Sequence, residues 1–164
     1  ENKTISLNYD IRLKEKKEND LKNKSLNTSV ELSEIFPVKD TKFDFRKFSS
    51  ISSRLEGSFK GFDHNFVLNK KLEKFLEVDG LIAEYAASAF CLNTGISLNV
   101  YTTQPGLQFY TGQGLSDPFV PLGGFCFEAQ GFPNSPNEVS FPSSNLRAGD
   151  LYNEIIIYQF DFED

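Results

Sequence analysis

Apolar and polar residues alternate with a period of two along several short stretches. The clearest is Ile155 to Phe162, where Gln159 and Asp161 share one parity and Ile156, Tyr158, Phe160 and Phe162 the other. Successive side chains of a strand point to opposite faces, so the pattern predicts a half-buried strand near the C-terminus. Similar runs at Thr4 to Leu13, Gly95 to Thr103 and Leu107 to Thr111 predict further strands. Gln104-Pro105-Gly106 separates the last two. Pro presets the first φ of a type II turn and Gly accepts the positive second one, so a hairpin or tight corner is predicted there. Leu72, Phe75 and Leu76 have helical spacing, whereas Leu81 to Phe90, Ala-rich and without long-helix caps, reads as strand. Prolines 118, 121, 133, 136 and 142 punctuate the remainder. The layout is all-β and loop-rich. The first fifty residues carry few strong core signals and much charge, so the chain reads as part of a larger sheet system whose raw edges need a partner segment.

Composition narrows the classes. A chain of 164 residues suits one domain spanning 1–164, and 17 phenylalanines supply a core without any tryptophan or methionine. The missing initiator Met leads to the expectation that something upstream was removed or omitted. A formal charge of -6 argues against a nucleic-acid surface, which needs clustered Lys and Arg. The charge-dense stretch from Arg12 to Lys24 mixes both signs, and residues 14–27 are expected to be a solvated charged loop. No apolar run approaches bilayer-spanning length, so no membrane partner is expected. Cys91 and Cys126 have no metal-ligand spacing and read as buried thiols. Glycosylation acceptor triplets at Asn2, Asn23 and Asn27 are about as many as chance supplies, and leave a secretory route open without arguing for it.

The candidate chemistry centres on Glu128, set in Gly-Gly-Phe-Cys-Phe-Glu-Ala-Gln-Gly-Phe-Pro from Gly123 to Pro133. Phenylalanines on both sides lead to the expectation that the acid is held in a partly dry place, where desolvation favours its protonated form. The segment Gly61-Phe62-Asp63-His64-Asn65-Phe66-Val67-Leu68 adds an acid, the only histidine and an amide. Tyr101 to Gly112 adds Gln108 between apolar residues. After Glu128 come Phe132-Pro133-Asn134-Ser135-Pro136-Asn137, Phe141-Pro142-Ser143 and Leu146-Arg147-Ala148-Gly149-Asp150. By residue pattern alone, Glu128 reads equally well as a turn or edge carboxylate, and Gln108 reads first as plain satisfied polarity.

This ordered set resembles the C-terminal half of the aldose 1-epimerases, the galactose mutarotase family. That family has a Gly-Tyr-Asp-His-Asn-Phe-Val-Leu-like segment, then Thr-Thr-Glu-Pro-Gly-Leu-Gln-Phe-Tyr-Thr, Gly-Phe-Cys-Leu-Glu-Thr-Gln and Phe-Pro-Ser before a last strand. The resemblance begins near Val38 to Arg46, where Val-Lys-Asp-Thr-Lys-Phe-Asp-Phe-Arg is similar to Val-Gly-Thr-Pro-Phe-Asp-Phe-Arg, and runs to the end. It implies a large antiparallel β-sandwich that interconverts the α and β anomers of a free aldose, such as galactose or glucose, without cofactor or metal. It implies that Glu128 is the general base at the anomeric hydroxyl and that Asp63 binds sugar hydroxyls. Gln108 would bind the sugar or orient Glu128, and His64 would be a supporting hydrogen-bonder at the substrate. Phenylalanines 125, 127 and 132 would wall the pocket. A cytoplasmic location also follows from the resemblance.

Several family features are missing. The histidine acid of the N-terminal half, in an Asn-His-Xaa-Tyr-Phe-Asn-Leu-like segment, has no counterpart here, nor do that half's arginine and other histidine. Asn19 to Val38 lacks the family's Ile-Pro-Thr-Gly turn, Ala129 replaces a Thr, Asn134 an Asp and Gln104 a Glu. A base without its acid partner loses orders of magnitude in rate. The chain alone is therefore expected to be inactive, and to need an N-terminal fragment of the same protein as partner. The alternative is a non-catalytic sugar-binding or structural relative. A glycosidase using Asp63 and Glu128 would need them about 5 to 9.5 Å apart, and a sugar-phosphate epimerase would need a Lys or Arg cluster that is not evident.

Overall fold

The computed structural model describes residues 3–7, 9–15, 32–57, 59–69 and 72–162. Asn2, Asn23 and Asn27, and the charged stretch beyond Glu15, lie outside them. The described residues form two antiparallel sheets packed face to face. The first is ordered β11-β8-β7-β1-β4, with β6 also paired to β7, and the second β10-β9-β5-β2-β3. The strands are β1 Lys3–Leu7, β2 Tyr9–Glu15, β3 Leu32–Pro37, β4 Ser49–Ser50, β5 Asp63–Leu68, β6 Phe75–Val78, β7 Leu81–Cys91, β8 Ile96–Thr102, β9 Gly106–Tyr110, β10 Cys126–Gln130 and β11 Ile156–Phe162. The run Thr4 to Leu13 is thus two strands, one in each sheet, and the charged residues Arg12 to Glu15 continue β2 rather than opening a loop.

Leu72, Phe75 and Leu76 do not form a helix. Phe75 and Leu76 open β6, which pairs with β7 through the two-residue turn Asp79-Gly80, both residues at positive φ (51° and 77°). An Asp-Gly pair of that conformation matches the right-handed twist of a hairpin, and this turn chemistry overrides the spacing. The predicted strand at Leu81 to Phe90 is β7. Gln104-Pro105 forms a corner, not a hairpin, because β8 lies in the first sheet and β9 in the second. Gly106 already belongs to β9 and is absent from the positive-φ glycines, so the type II turn predicted there does not form.

The core is dominated by phenylalanine. Phe43, Phe45, Phe62, Phe66, Phe109 and Phe127 are buried with Val38, Leu107, Val100 and the alanines of β7. Their rings meet mostly edge to face, as for Phe45 with Phe62 at 5.1 Å and Phe43 with Phe62 at 5.6 Å. Fully burying one such ring stabilises the fold by about 1.5 to 3 kcal/mol. Val38, Phe43 and Phe45 show that the first fifty residues contribute more core than their charge suggests.

One side of the sandwich is open. Among the described residues β11 pairs only with β8 and β10 only with β9. Ile156, Tyr158, Phe160 and Phe162 lie opposite Thr102, Val100, Leu98 and Ile96, on the face that carries the buried Val100. The alternation is as predicted, but the apolar parity is not covered: Phe160 is 70% and Phe162 62% exposed. Phe160, Leu98, Ala89 and Phe125 line a cleft of about 190 Å³ at this mouth.

Candidate functional site

Three adjacent strands of the second sheet present the candidate chemistry on their outer face. In β5, Phe66 and Leu68 point into the core, so Asp63, Asn65 and Val67 fall on the opposite parity. In β9 the buried Leu107 and Phe109 leave Gly106, Gln108 and Tyr110 on that same outer face. In β10 the buried Phe127 leaves Cys126, Glu128 and Gln130 there. Cross-strand register then aligns Asn65, Gln108 and Glu128 in one row, and Asp63, Tyr110 and Cys126 in the next.

Gln108 ties the rows together by donating its Nε2 amide to Asp63 Oδ1 at 2.7 Å. That bond engages one carboxylate oxygen of Asp63, whose side chain is exposed on this face. Glu128 is exposed, and the partly dry setting expected for it is not found among the described residues. The cause is parity: Phe127 faces the core, and Phe125 packs against that core rather than beside the carboxylate. Only Phe132, of the three phenylalanines expected to wall the site, is on the outer side. It packs edge to face with Phe141 at 5.4 Å and against Val67, closing the end of the row where β10 runs into the next loop. Asn134 at φ 65° and the 3-10 turn Ser135–Asn137 fold that loop back, and Ser135 Oγ donates to the Phe132 carbonyl at 2.7 Å.

His64 is not brought to this face. Its ring lies edge-on to Phe43 at 4.8 Å, near Phe59 and Phe62, on the parity opposite to Asp63. Its Nδ1 accepts the backbone N–H of Asp63 at 2.9 Å, so the imidazole steadies the backbone of the acid from beneath.

Cys126 and Tyr158 complete the surroundings, though the sequence pattern placed neither of them at the site. Cys126 is exposed, not buried as predicted, while Cys91 is half-buried. Partial burial and then the charge of Glu128 raise the Cys126 thiol above its ordinary value. Burial, Glu128 and Cys126 in that order also raise the Tyr158 phenol. Shared parity with Glu128 was the signal available for Cys126; nothing in the sequence marks Tyr158, which comes from the other sheet. Among the described residues no cluster of three or more His, Cys, Asp or Glu could hold a metal ion, and no helix is long and apolar enough to cross a membrane.

A two-sheet antiparallel sandwich with an acid, an amide and a second acid across three neighbouring strands defines the class of molecule. Comparison with known proteins identifies the family. The aldose 1-epimerase family model matches residues 6–159. The chain is 37% identical over 142 residues to galactose mutarotase of Sus scrofa, covering 81% of this chain and 39% of that protein. It is 34% identical over 137 residues to aldose 1-epimerase of Escherichia coli K12, covering 75% and 37%. Among solved structures, an aldose epimerase homologue from C. elegans superposes with TM-score 0.78 at 20% identity, over 99% of this chain and 46% of that one. Galactose 1-epimerase from Lactobacillus acidophilus NCFM superposes with TM-score 0.63 at 21% identity, over 100% and 45%. The chain therefore belongs to the aldose 1-epimerase family. It spans about two fifths of the length of the curated relatives it matches.

Proposed function

We propose that this chain is the C-terminal portion of an aldose 1-epimerase acting on a free hexose such as galactose or glucose. Glu128 is the general base, Asp63 and Gln108 bind sugar hydroxyls, and His64 supports Asp63 from the core side. The observation that carries the reading is the row formed by Gln108 and Glu128 with Asp63 bonded to it, three groups from separate motifs on one sheet face. Glu128 takes the proton of the anomeric hydroxyl while an acid protonates the ring oxygen, and the bond from C1 to that oxygen breaks. The open-chain aldehyde turns about its C1–C2 bond, the hydroxyl adds back to the other carbonyl face, and both protons return.

The acid comes from polypeptide outside residues 1–164, because the chain's only histidine is turned into the core. The uncovered apolar face of β11 and the unpaired sides of β10 and β11 support a docked complementing segment, corresponding to the part of the relatives that this chain does not span. Such a segment would also cover Glu128 and exclude water from it. A cytoplasmic location is in keeping with this reading.

The test is polarimetric equilibration of α-galactose or α-glucose by the native assembly and by Glu128→Gln. The variant is expected to lose roughly 10² to 10⁴ in rate; an unchanged rate removes Glu128 from the role of base. One observation favours a second reading, a non-catalytic sugar-binding relative: Glu128 is exposed and has no acid partner among the described residues. Calorimetric binding of galactose without any mutarotation would select it.

A further inference from the structure

Three buried side-chain polar atoms have no hydrogen-bond partner among the described residues: Asn65 Oδ1, Asn65 Nδ2 and Gln108 Oε1. Asn65 is only 2% exposed. An orphaned buried polar atom costs free energy that a leucine or valine would not, so an amide kept at such a position calls for a physical explanation. The packing is also particular to it. A Cβ on Gly106 would lie 2.6 Å from Asn65 Oδ1 and 3.1 Å from Asn65 Nδ2, so the amide reaches over β9 where that strand has no side chain. Asn65 and Gln108 are direct cross-strand partners on the outer face.

We propose that Asn65 is a positioning residue for the candidate site, acting through Gln108. A single buried hydrogen-bonding bridge, one water between the Asn65 amide and Gln108 Oε1, would satisfy all three orphaned atoms, within the two to four partners that a buried water takes. Gln108 can sit either way round, and only one orientation donates to Asp63; the other sets Oε1 against a carboxylate oxygen. With the water accepting from Asn65 Nδ2 and donating one O–H to Asn65 Oδ1, its second O–H is left for Gln108 Oε1, which favours the productive orientation and in turn aims the Asp63 carboxylate. Asn65 touches no substrate in this arrangement. The kinetic consequence rests on the proposed function; the orientation of Gln108 does not.

The test is a double-mutant cycle in the native assembly, with Asn65→Ala and the near-isosteric Asn65→Asp, each alone and with Gln108→Ala, read by mutarotation kinetics. Either Asn65 variant alone is expected to raise KM about tenfold, an effect that shrinks to less than about twofold in the Gln108→Ala background, a coupling of the size contacting residues show. A second arm reads the Gln108 side-chain amide by nitrogen-edited NMR, where both variants are expected to hasten exchange of its Nε2 protons. Additive kinetics with an unaltered Gln108 resonance would overturn the proposal. If Glu128→Gln leaves mutarotation intact, the functional reading fails, yet the NMR arm still decides whether Asn65 sets Gln108.

Discussion

The Tyr158 hydroxyl donates to the Phe127 carbonyl oxygen at 2.8 Å, joining the edge strand of one sheet to the edge strand of the other. It is a polar strut across the open side of the sandwich, one strand position from Glu128. Replacing Tyr158 by Phe keeps the ring and removes the strut, and is expected to lower unfolding free energy by about 1 kcal/mol in a urea titration. The raised phenol has a signed consequence. Between the ordinary tyrosine value and the folded one, the native state holds a proton that the unfolded state has released, so stability falls as pH climbs through that interval. Burial is the larger cause and Glu128 the next, so Glu128→Gln is expected to bring the phenol part of the way back in an ultraviolet phenolate titration. An unmoved titration would mean that the carboxylate lies too far from the ring to act on it.

Gly106 is expected to resist substitution for a reason other than backbone conformation. Its φ is not positive, so alanine is allowed there by backbone sterics, and the cost comes from crowding. The new methyl would press on Asn65 Oδ1 at 2.6 Å and on the Gln130 carbonyl at 3.2 Å, the second of which is backbone. Gly106→Ala is expected to destabilise by about 1 to 3 kcal/mol in thermal or urea unfolding. In an Asn65→Ala background the penalty should shrink, since the tightest contact is then gone. Equal penalties in the two backgrounds would place the strain on the Gln130 carbonyl instead.

The same residue shows what could be read without coordinates. Pro105-Gly106 announces a turn by composition, and a corner is there, but the glycine serves a cross-strand amide 41 positions away in sequence order, which no local pattern records. Strand identity was legible where parity was regular, as in β8, β9 and β11, and in β7 from the lack of long-helix caps rather than from parity. It was misread at Phe75 and Leu76, where three residues of helical spacing outweighed the Asp79-Gly80 turn that decides the matter. The outward row of Asp63, Gln108 and Glu128 was legible as motifs, and its parity follows from the buried neighbours of each. The position of His64 was not, because adjacent residues of a strand face opposite ways and nothing in Asp-His-Asn tells which parity meets the phenylalanines. Exposure of Glu128 and of the β11 face was not legible either, because strand parity tells which residues share a face and not whether anything covers that face.

Asp44 and Arg46 form a bidentate pair in the loop that leads from Val38 into the core, with Nε to Oδ1 at 2.8 Å and Nη2 to Oδ2 at 2.7 Å. The guanidinium holds the Asp44 carboxyl down at about 2, its side-chain hydrogen bond outweighing the opposing effect of burial. A depressed carboxyl contributes stability above the unfolded value near 3.8 and loses it as pH falls from there toward 2. Because both groups are partly exposed and screened, the contribution is expected to stay below about 1 kcal/mol. Arg46→Leu is expected to return Asp44 to the ordinary carboxylate range in a carbon-detected NMR titration, with little change in the melting temperature at neutral pH. A carboxyl still near 2 in that variant would assign the shift to backbone donors.

Cys126 gives the proposed site a chemical reporter, because it shares the outer face with Asp63, Gln108 and Glu128. The thiol is exposed but held above its ordinary value of 9.0 by partial burial and then by Glu128. Since the thiolate is the nucleophile, alkylation by iodoacetamide at neutral pH is expected to be slower than for a simple thiol, rising only at higher pH. Glu128→Gln removes the second cause and is expected to hasten the reaction without restoring it fully. Saturating galactose in the native assembly is expected to protect Cys126 while leaving Cys91, at the end of β7 in the other sheet, to react at its own rate. Alkylation of Cys126 at the same rate with and without sugar would mean that the ligand does not occupy this face, and the row of Asn65, Gln108 and Glu128 would then need another explanation.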